Sequence, residues 1–333
     1  MDAMIQIRSD LASNDALRQS QALLTALQLA AAGKDISSVS RSACDEIIAS
    51  PANAVCKKLA FDLIRGTRLT SEQWETVCRG IKNDFDFPDP DVTAAGVSFL
   101  GAIPSWRLGK LISDCNKEIS NCITSDNQHL RYAITETLGC ILARDDVVTL
   151  CESSAPLSDK VSNWWMQIGQ TMLDVSDAVS RVAFEAVGRL FLEFSTKRMS
   201  RLAGDRLIST EASLAIRSNW VISMCKFVWE KRNLLMARSL VLPTESFGST
   251  VQPLVFAIKA VATGMVEEMQ AISGGDGSPR GPMGERDFVN AERILAVSDL
   301  VSHLVPFLSS LDPALVFEVG INLLSLADVP GGK

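Results

Sequence analysis

Only two histidines, His129 and His303, occur among the 333 residues. That leaves little for acid–base catalysis or a histidine-held metal, and no H-E-x-x-H is present. His129 falls at a predicted helix start and His303 within an amphipathic helix, where surface and packing roles suit them. The eight cysteines, Cys44, Cys56, Cys78, Cys115, Cys122, Cys140, Cys151 and Cys225, contain no C-x-x-C pair. They read as reduced thiols of a cytosolic protein, packed as small hydrophobes. Lys34 and Lys110 each follow a glycine, but Gln28 and Pro104 stand where a P-loop needs its first glycine. The Gly-Gly-Asp-Gly run at 274 to 277 follows a helix rather than a strand, so a dinucleotide fingerprint fails on context. G-x-S-x-G is absent, since Gly96-Val97-Ser98 continues as Phe99-Leu100. No apolar run reaches the ~18 residues of a membrane span, and the opening MDAMIQIRSD is charged where a secretory signal needs an apolar stretch.

A net charge of −7 and a pI near 5.1 argue against nucleic acid as the main ligand, because phosphate contacts draw on a basic surface. With 47% hydrophobic and 21% charged residues, the chain has enough apolar side chains to build a core and is not disordered as a whole. The aspartates Asp84, Asp86, Asp89 and Asp91 resemble a calcium loop only superficially. Asp89 and Ala95 occupy the places of the required glycine and glutamate. They read instead as caps and solvating groups of a turn between helices. An enzyme would need a pocket gathering these aspartates, or Asp145 and Asp146, with shifted protonation. No catalytic residue, cofactor or metal is expected.

What is present is a repeated phrase. DPDVTAAGVSFLGAI (89–103), DNQHLRYAITETLGCIL (126–142) and DVSDAVSRVAFEAVGRLF (174–191) superpose on Gly101, Gly139 and Gly188. The overlay aligns Val92, Leu130 and Val179, then Ala95, Ala133 and Val182. Leu100, Leu138 and Val187 follow one place before the glycine, and Ile103, Ile141 and Leu190 two places after it. Repeats of roughly 40 to 50 residues mark a solenoid, in which each unit buries its apolar face against its neighbours. Apolar spacing is helical throughout and β-rich runs are absent, so the expectation is an all-α, HEAT/armadillo-like α-solenoid.

In the third copy Val179, Val182, Ala186, Val187 and Leu190 form a buried stripe, with Ser180, Arg181 and Glu185 on the wet side. The preceding 157–172 stretch, with Trp164 and Trp165, is its expected partner. The three glycines either let helices approach closely or are merely tolerated. Cys56, Leu59, Ala60, Phe61, Leu63 and Ile64 follow the same register with Arg65 at the glycine position, and LRQSQALLTAL and LAIRSNWVISM read as further inner helices. Repeats are expected from the N-terminus to about residue 235. Asp89 before Pro90, Asp312 before Pro313, and Thr70 with Gln73 mark helix starts.

The domain reading is one solenoid segment over 1–333. A flexible loop at 273–285, a functional insertion or plain surface, separates helical stretches at 251–272 and 287–309. The ending LADVPGGK lacks a polar capping helix and suggests truncation. Leu323-Leu324-Ser325-Leu326 approaches a clathrin-binding peptide, but Ala327 replaces the acid and the segment reads as helix. Two basic clusters stand out on this acidic chain: Lys197, Arg198 and Arg201, and Lys231 and Arg232. They either meet anionic phospholipid headgroups or are solvated helix ends favoured by the helix dipole.

The runs ASNDALRQSQALL, ASPANAVCKKLAFDLIRGTRLT, FPDPDVTAAGVS, WRLGKLISDCNKEIS, ITETLGCILARDDVVTLCE, DKVSNWW, KRMSRLAGDRL, SLAIRSNWV, LMARSLVLP and LDPALVFEVGIN resemble the N-terminal part of the TPLATE family. These plant large subunits are themselves similar to the β-type large chains of clathrin adaptor and coatomer complexes. The likeness extends over nearly all 333 residues and departs mainly at 273–285. It implies an adaptin-type trunk lacking the family's C-terminal remainder, and a non-enzymatic scaffold in clathrin-mediated endocytosis and cell-plate trafficking during cytokinesis. Implied partners are the medium, small and Eps15-homology-domain subunits of an adaptor complex. Clathrin and the plasma-membrane adaptor machinery are reached through that complex. The implied location is cytoplasmic, peripheral at plasma membrane, endocytic vesicles and cell plate. The rival reading is a generic HEAT-repeat scaffold of the transport-receptor or phosphatase-regulatory type.

Overall fold

Local chemistry sets the helix starts. The Thr70 hydroxyl accepts from the Gln73 amide while the Gln73 side chain accepts from the Thr70 amide, closing the expected capping box. Asp89 and Asp312 each accept a backbone N–H at the head of a helix whose first residue is proline. Asp15 and Asn53 cap two more starts in the same way.

The computed structural model describes residues 3–202, 211–242, 247–272, 283–310 and 312–329. Among them are seventeen α-helices and no strand. In chain order they are α1 (Ala3–Leu11), α2 (Ala16–Ala31), α3 (Ser37–Ala43), α4 (Ala54–Arg65), α5 (Ser71–Asp84), α6 (Pro90–Phe99), α7 (Ser105–Asp114), α8 (Asn116–Ile123) and α9 (Gln128–Leu142). There follow α10 (Asp145–Ser153), α11 (Ala155–Thr171), α12 (Asp177–Leu202), α13 (Glu211–Val241), α14 (Phe247–Ala262), α15 (Met265–Ile272), α16 (Met283–Leu304) and α17 (Pro313–Leu326). A π-helical turn, Cys44–Ile48, joins α3 toward α4.

The chain forms two compact units, Met1–Ile141 and Leu142–Lys333. In the first, α2 packs on α4 and α4 on α6, while α5 packs on α6 and α7. In the second, α11 packs on α12 and α13, α12 on α14, and α14 on α16 and α17. Contact between next-but-one helices is the stacking pattern of an α-solenoid, and the fold is all-α as expected. Aromatic pairs fill both cores: Phe61 lies 4.8 Å from Phe99 in the first, and Trp165 lies 6.4 Å from Trp220 in the second. Full burial of side chains this size stabilises by roughly 1.5–3 kcal/mol each.

The repeat register is visible in the burial. Val92, Leu130, Val179, Ala133, Val182, Leu100, Leu138, Val187, Ile103, Ile141 and Leu190 are all buried, and Ala95 is half-buried. The α11 stretch with Trp164 and Trp165 is indeed the partner of α12.

The glycine alternative is decided at one position, and four expectations need correction. Gly101 lies in a 3-10 turn after α6, with open space where a Cβ would go, so close approach does not explain it. Ser180 is buried, its hydroxyl donating to the Met172 carbonyl at 2.6 Å, because α12 begins against the end of α11. Helical pairing continues past 235 through α17. The 251–272 stretch is broken at Thr263–Gly264, where Gly264 takes a φ of +76° that favours glycine. Of the expected loop, 273–282 falls outside the described residues and 283–285 form the first turn of α16. α16 runs to Leu304, and a 3-10 turn completes the helical stretch to Ser309.

A Cβ on Gly188 would meet Pro253 of α14 at 3.4 Å, an ordinary contact, and tighter crossings lie at other glycines. A Cβ on Gly80 would collide with the Ile48 carbonyl, since α5 crosses directly over the π turn. One on Gly169 would lie 3.0 Å from the Met224 sulfur, between α11 and α13.

Candidate functional site

The cationic residues singled out in the sequence begin at the end of α12. Lys197 is not a free charge: its ammonium donates to Asp145 Oδ2 at 2.6 Å. The other oxygen of Asp145 accepts from Arg217 of α13, also at 2.6 Å, and Arg217 donates again to the Ala143 carbonyl at 3.1 Å. One carboxylate at the head of α10 therefore ties α12 and α13 together. Burial pulls the Asp145 carboxyl upward, but the hydrogen bonds and charges of Lys197 and Arg217 outweigh it and hold the group below the usual carboxylate value. Arg217 is fully buried, and its Nε and Nη1 have no hydrogen-bond partner.

Arg198 is half-buried on α12, and Arg201 lies near the end of that helix with its side chain outside the described residues. On α13 Lys231 is exposed. Arg232 stacks 4.6 Å from the Trp229 ring centroid and donates to Glu292 of α16 at 3.0 Å. Lys197 and Arg232, two of the five candidate lipid contacts, are thus held by carboxylates of the chain itself.

The aspartate cluster also divides. Asp89 caps α6. Asp84, expected to solvate the turn, is instead buried and paired with the buried Lys57 of α4 at 2.6 Å. Lys57 also donates to the Ile48 carbonyl at 2.7 Å, and the Asp84 carbonyl accepts from the Thr93 hydroxyl at 2.8 Å. The pair fastens the π turn, α4, α5 and α6. Burial raises the Asp84 carboxyl above its ordinary value, against the lowering by Lys57. Inside this helix junction the pair has a structural role, holding four elements together. Among the described residues no group of three or more His, Cys, Asp and Glu could hold a metal, and no helix is long and apolar enough to cross a membrane.

Open surface suited to a partner lies in the first unit. A groove of about 530 Å³ runs across α4, α6 and the start of α9, with Lys58, Asp62, Arg65, Asp91 and His129 on its walls. Phe61 and Ala95, residues of the repeat register, line it together with the exposed Val55. A second cavity, about 160 Å³, lies between α5 and α7. Arg79 and Lys82 of α5 and Arg107 and Lys110 of α7 line it, with Glu75 and Asp114 as its acids. Sequence reasoning missed this convergence, although each pair sits at i, i+3, the spacing that shares a helix face.

Burial also governs the thiols. It pushes Cys44 and Cys122 up to about 12 and Cys115 and Cys151 up to about 11, with smaller contributions from nearby acids at Cys44 and Cys122. Such thiols are poor nucleophiles.

No family model matches the chain. Solved structures that overlay it include an engineered protein (TM-score 0.43, 13% identity, covering 98% of this chain and 97% of that one). Others are Kap95p (TM-score 0.39, 12% identity, 97% and 47%) and Kap121p (TM-score 0.34, 10% identity, 98% and 46%). Scores of this size establish no common arrangement. Sequence similarity is far more specific: Protein TPLATE of Arabidopsis thaliana is 65% identical over 329 residues, 98% of this chain. The chain spans 28% of that relative's length. With nearly two identical residues in three, the chain is similar over almost its whole length to one segment of Protein TPLATE.

Proposed function

We propose that the chain is a scaffold segment of a TPLATE-type adaptor complex acting in clathrin-mediated endocytosis and in vesicle delivery to the cell plate during cytokinesis. The observation that carries the proposal is the 65% identity to Protein TPLATE across 98% of the chain. The stacked helices offer open grooves, and the buried charges fasten helices to one another. Mechanistically, the groove over α4, α6 and α9 presents both signs of charge above an apolar floor, which suits the helices of a sister subunit. Medium, small and Eps15-homology-domain subunits are the proposed neighbours, clathrin being reached through the assembled complex. The proposed location is cytoplasmic and peripheral, at plasma membrane, endocytic vesicles and cell plate, with direct contact to anionic phospholipid as a secondary interaction.

The test is affinity purification of the full-length protein from dividing plant cells, followed by mass spectrometry. Recovery of adaptor-type medium and small subunits in comparable amounts is expected. Recovery from membranes with no coat or adaptor subunit would overturn the proposal.

A further inference from the structure

We propose that the α5–α7 cavity is a site for a phosphate-bearing lipid headgroup, with Trp106 as its anchor in the bilayer surface. This names the site for the membrane contact proposed above and rests on that reading.

Four cations converge there from two packed helices, against two acids, so a chain of net charge −7 presents a local cationic face. The acids hold those cations loosely. Lys82 is 3.9 Å from Asp114, both well exposed, and Arg107 is 3.7 Å from Glu75. Pairs this long, each with a well-exposed carboxylate, are weak, and a phosphate can displace them. Lys110 is exposed, and Arg79 makes only a 3.5 Å contact with the Thr76 hydroxyl. Arg107 is anchored by the Ser71 hydroxyl at 3.0 Å, yet its Nε is buried and has no hydrogen-bond partner, leaving a donor unused beside the cavity. The arrangement differs from the Lys197 and Arg232 clusters, whose cations already hold short bonds to carboxylates.

A lipid source is favoured over a soluble phosphate or phosphopeptide by Trp106. It stands one turn before Lys110 on α7, 57% exposed, with the Arg107 guanidinium 4.9 Å from its ring centroid. A large exposed indole beside cations is poorly placed for water but well placed for the headgroup layer, where tryptophan and basic residues gather. Its burial on membrane contact adds an apolar term to the electrostatic one.

The test is co-sedimentation of the 333-residue chain with phosphatidylcholine vesicles, alone or containing phosphatidylinositol 4-phosphate or phosphatidylserine, across a salt series. Wild type is expected to bind the phosphoinositide vesicles more tightly than the phosphatidylserine ones, to ignore phosphatidylcholine alone, and to weaken as salt rises. Each cation near an anionic surface contributes roughly fivefold in partitioning, so the R79E/K110E variant should bind at least about 25-fold more weakly. W106A should lose several-fold while keeping its salt dependence. Both variants alter surface positions, and unchanged circular dichroism checks their folding. Unchanged binding in R79E/K110E, with loss instead in K231E, overturns this site but preserves membrane contact. No binding of wild type to any anionic vesicle overturns both. Capture of a phosphorylated peptide without vesicle binding also overturns the lipid assignment.

Discussion

Each unit of the molecule ties its helices with a buried cation, and the two ties differ in where the carboxylate sits. In the first unit Lys57 and Asp84 are both buried, at 1% and 4% side-chain exposure. In the second Arg217 is wholly buried, but Asp145 is 62% exposed and shared with Lys197. The first tie removes two charges from water and relies on their mutual attraction. The second leaves the anion hydrated and desolvates mainly the guanidinium, whose charge is diffuse and weakly hydrated. A buried pair is costly to break from one side, whereas a half-wet pair degrades gently.

The largest expected effect follows from the first tie. Lys57→Met should destabilise the first unit by about 3–5 kcal/mol, because it strands Asp84 in a dry junction. The double variant K57M/D84L should restore stability to near wild type or above it, since an apolar pair fills the same space without desolvated charge. Urea denaturation, with hydrogen exchange localising the change to α4–α6, checks both. Equal destabilisation by the single and double variants would show that the pair contributes net attraction beyond its desolvation.

Packing gives the next contrast. Gly80→Ala drives a methyl into the Ile48 carbonyl, a backbone atom that cannot swing aside, and should cost about 1–3 kcal/mol. Gly101→Ala meets open space and should leave the unfolding midpoint unchanged or slightly raised. The repeated phrase drew attention to Gly101, yet the crossing helices constrain Gly80.

That contrast shows what was legible in the sequence. Helix starts at Thr70, Asp89 and Asp312 and the buried register of the three copies follow from local chemistry and a 3.6-residue period, both written along the chain. Asp84 and Ser180 were misjudged because their surroundings come from helices brought in by folding: Lys57 is 27 residues from Asp84, and Arg238 is 58 from Ser180. The α5–α7 cations were missed for the same reason. The Lys197 and Arg232 clusters were legible as charge, but the carboxylates holding them lie 52 and 60 residues away.

The two ties should also respond oppositely to acid. Asp145 has a lowered folded value, so its contribution is present above the ordinary carboxylate range and is lost as pH falls through that lowered value. Asp84 has a raised folded value, so its titration adds stability below the unfolded value and removes it as pH rises through the raised one. Acidification should therefore loosen α10, α12 and α13 while α4–α6 stay protected in hydrogen exchange. Asp145→Asn should mimic the acid effect at neutral pH at a cost of about 1–2 kcal/mol, limited because Asp145 is largely hydrated and the Arg217 bond to Ala143 survives.

The smallest effect completes the series in exposure. Arg181 and Glu185 of α12 stand 3.8 Å apart at i, i+4, with 40% and 38% of their side chains exposed. Arg181 Nε is itself buried, but more than a third of each side chain stays in water, so little is gained by contact and little is stranded when one partner goes. Arg181→Ala should cost no more than about 0.5 kcal/mol, and the loss should shrink in high salt as screening removes the attraction. Comparing its unfolding midpoint at low and high salt with those of K57M and D145N separates the three cases. Salt should flatten the first difference and barely touch that of K57M. A salt-insensitive loss above 1 kcal/mol for Arg181→Ala would mean that its aliphatic stem, rather than its charge, is what α12 uses.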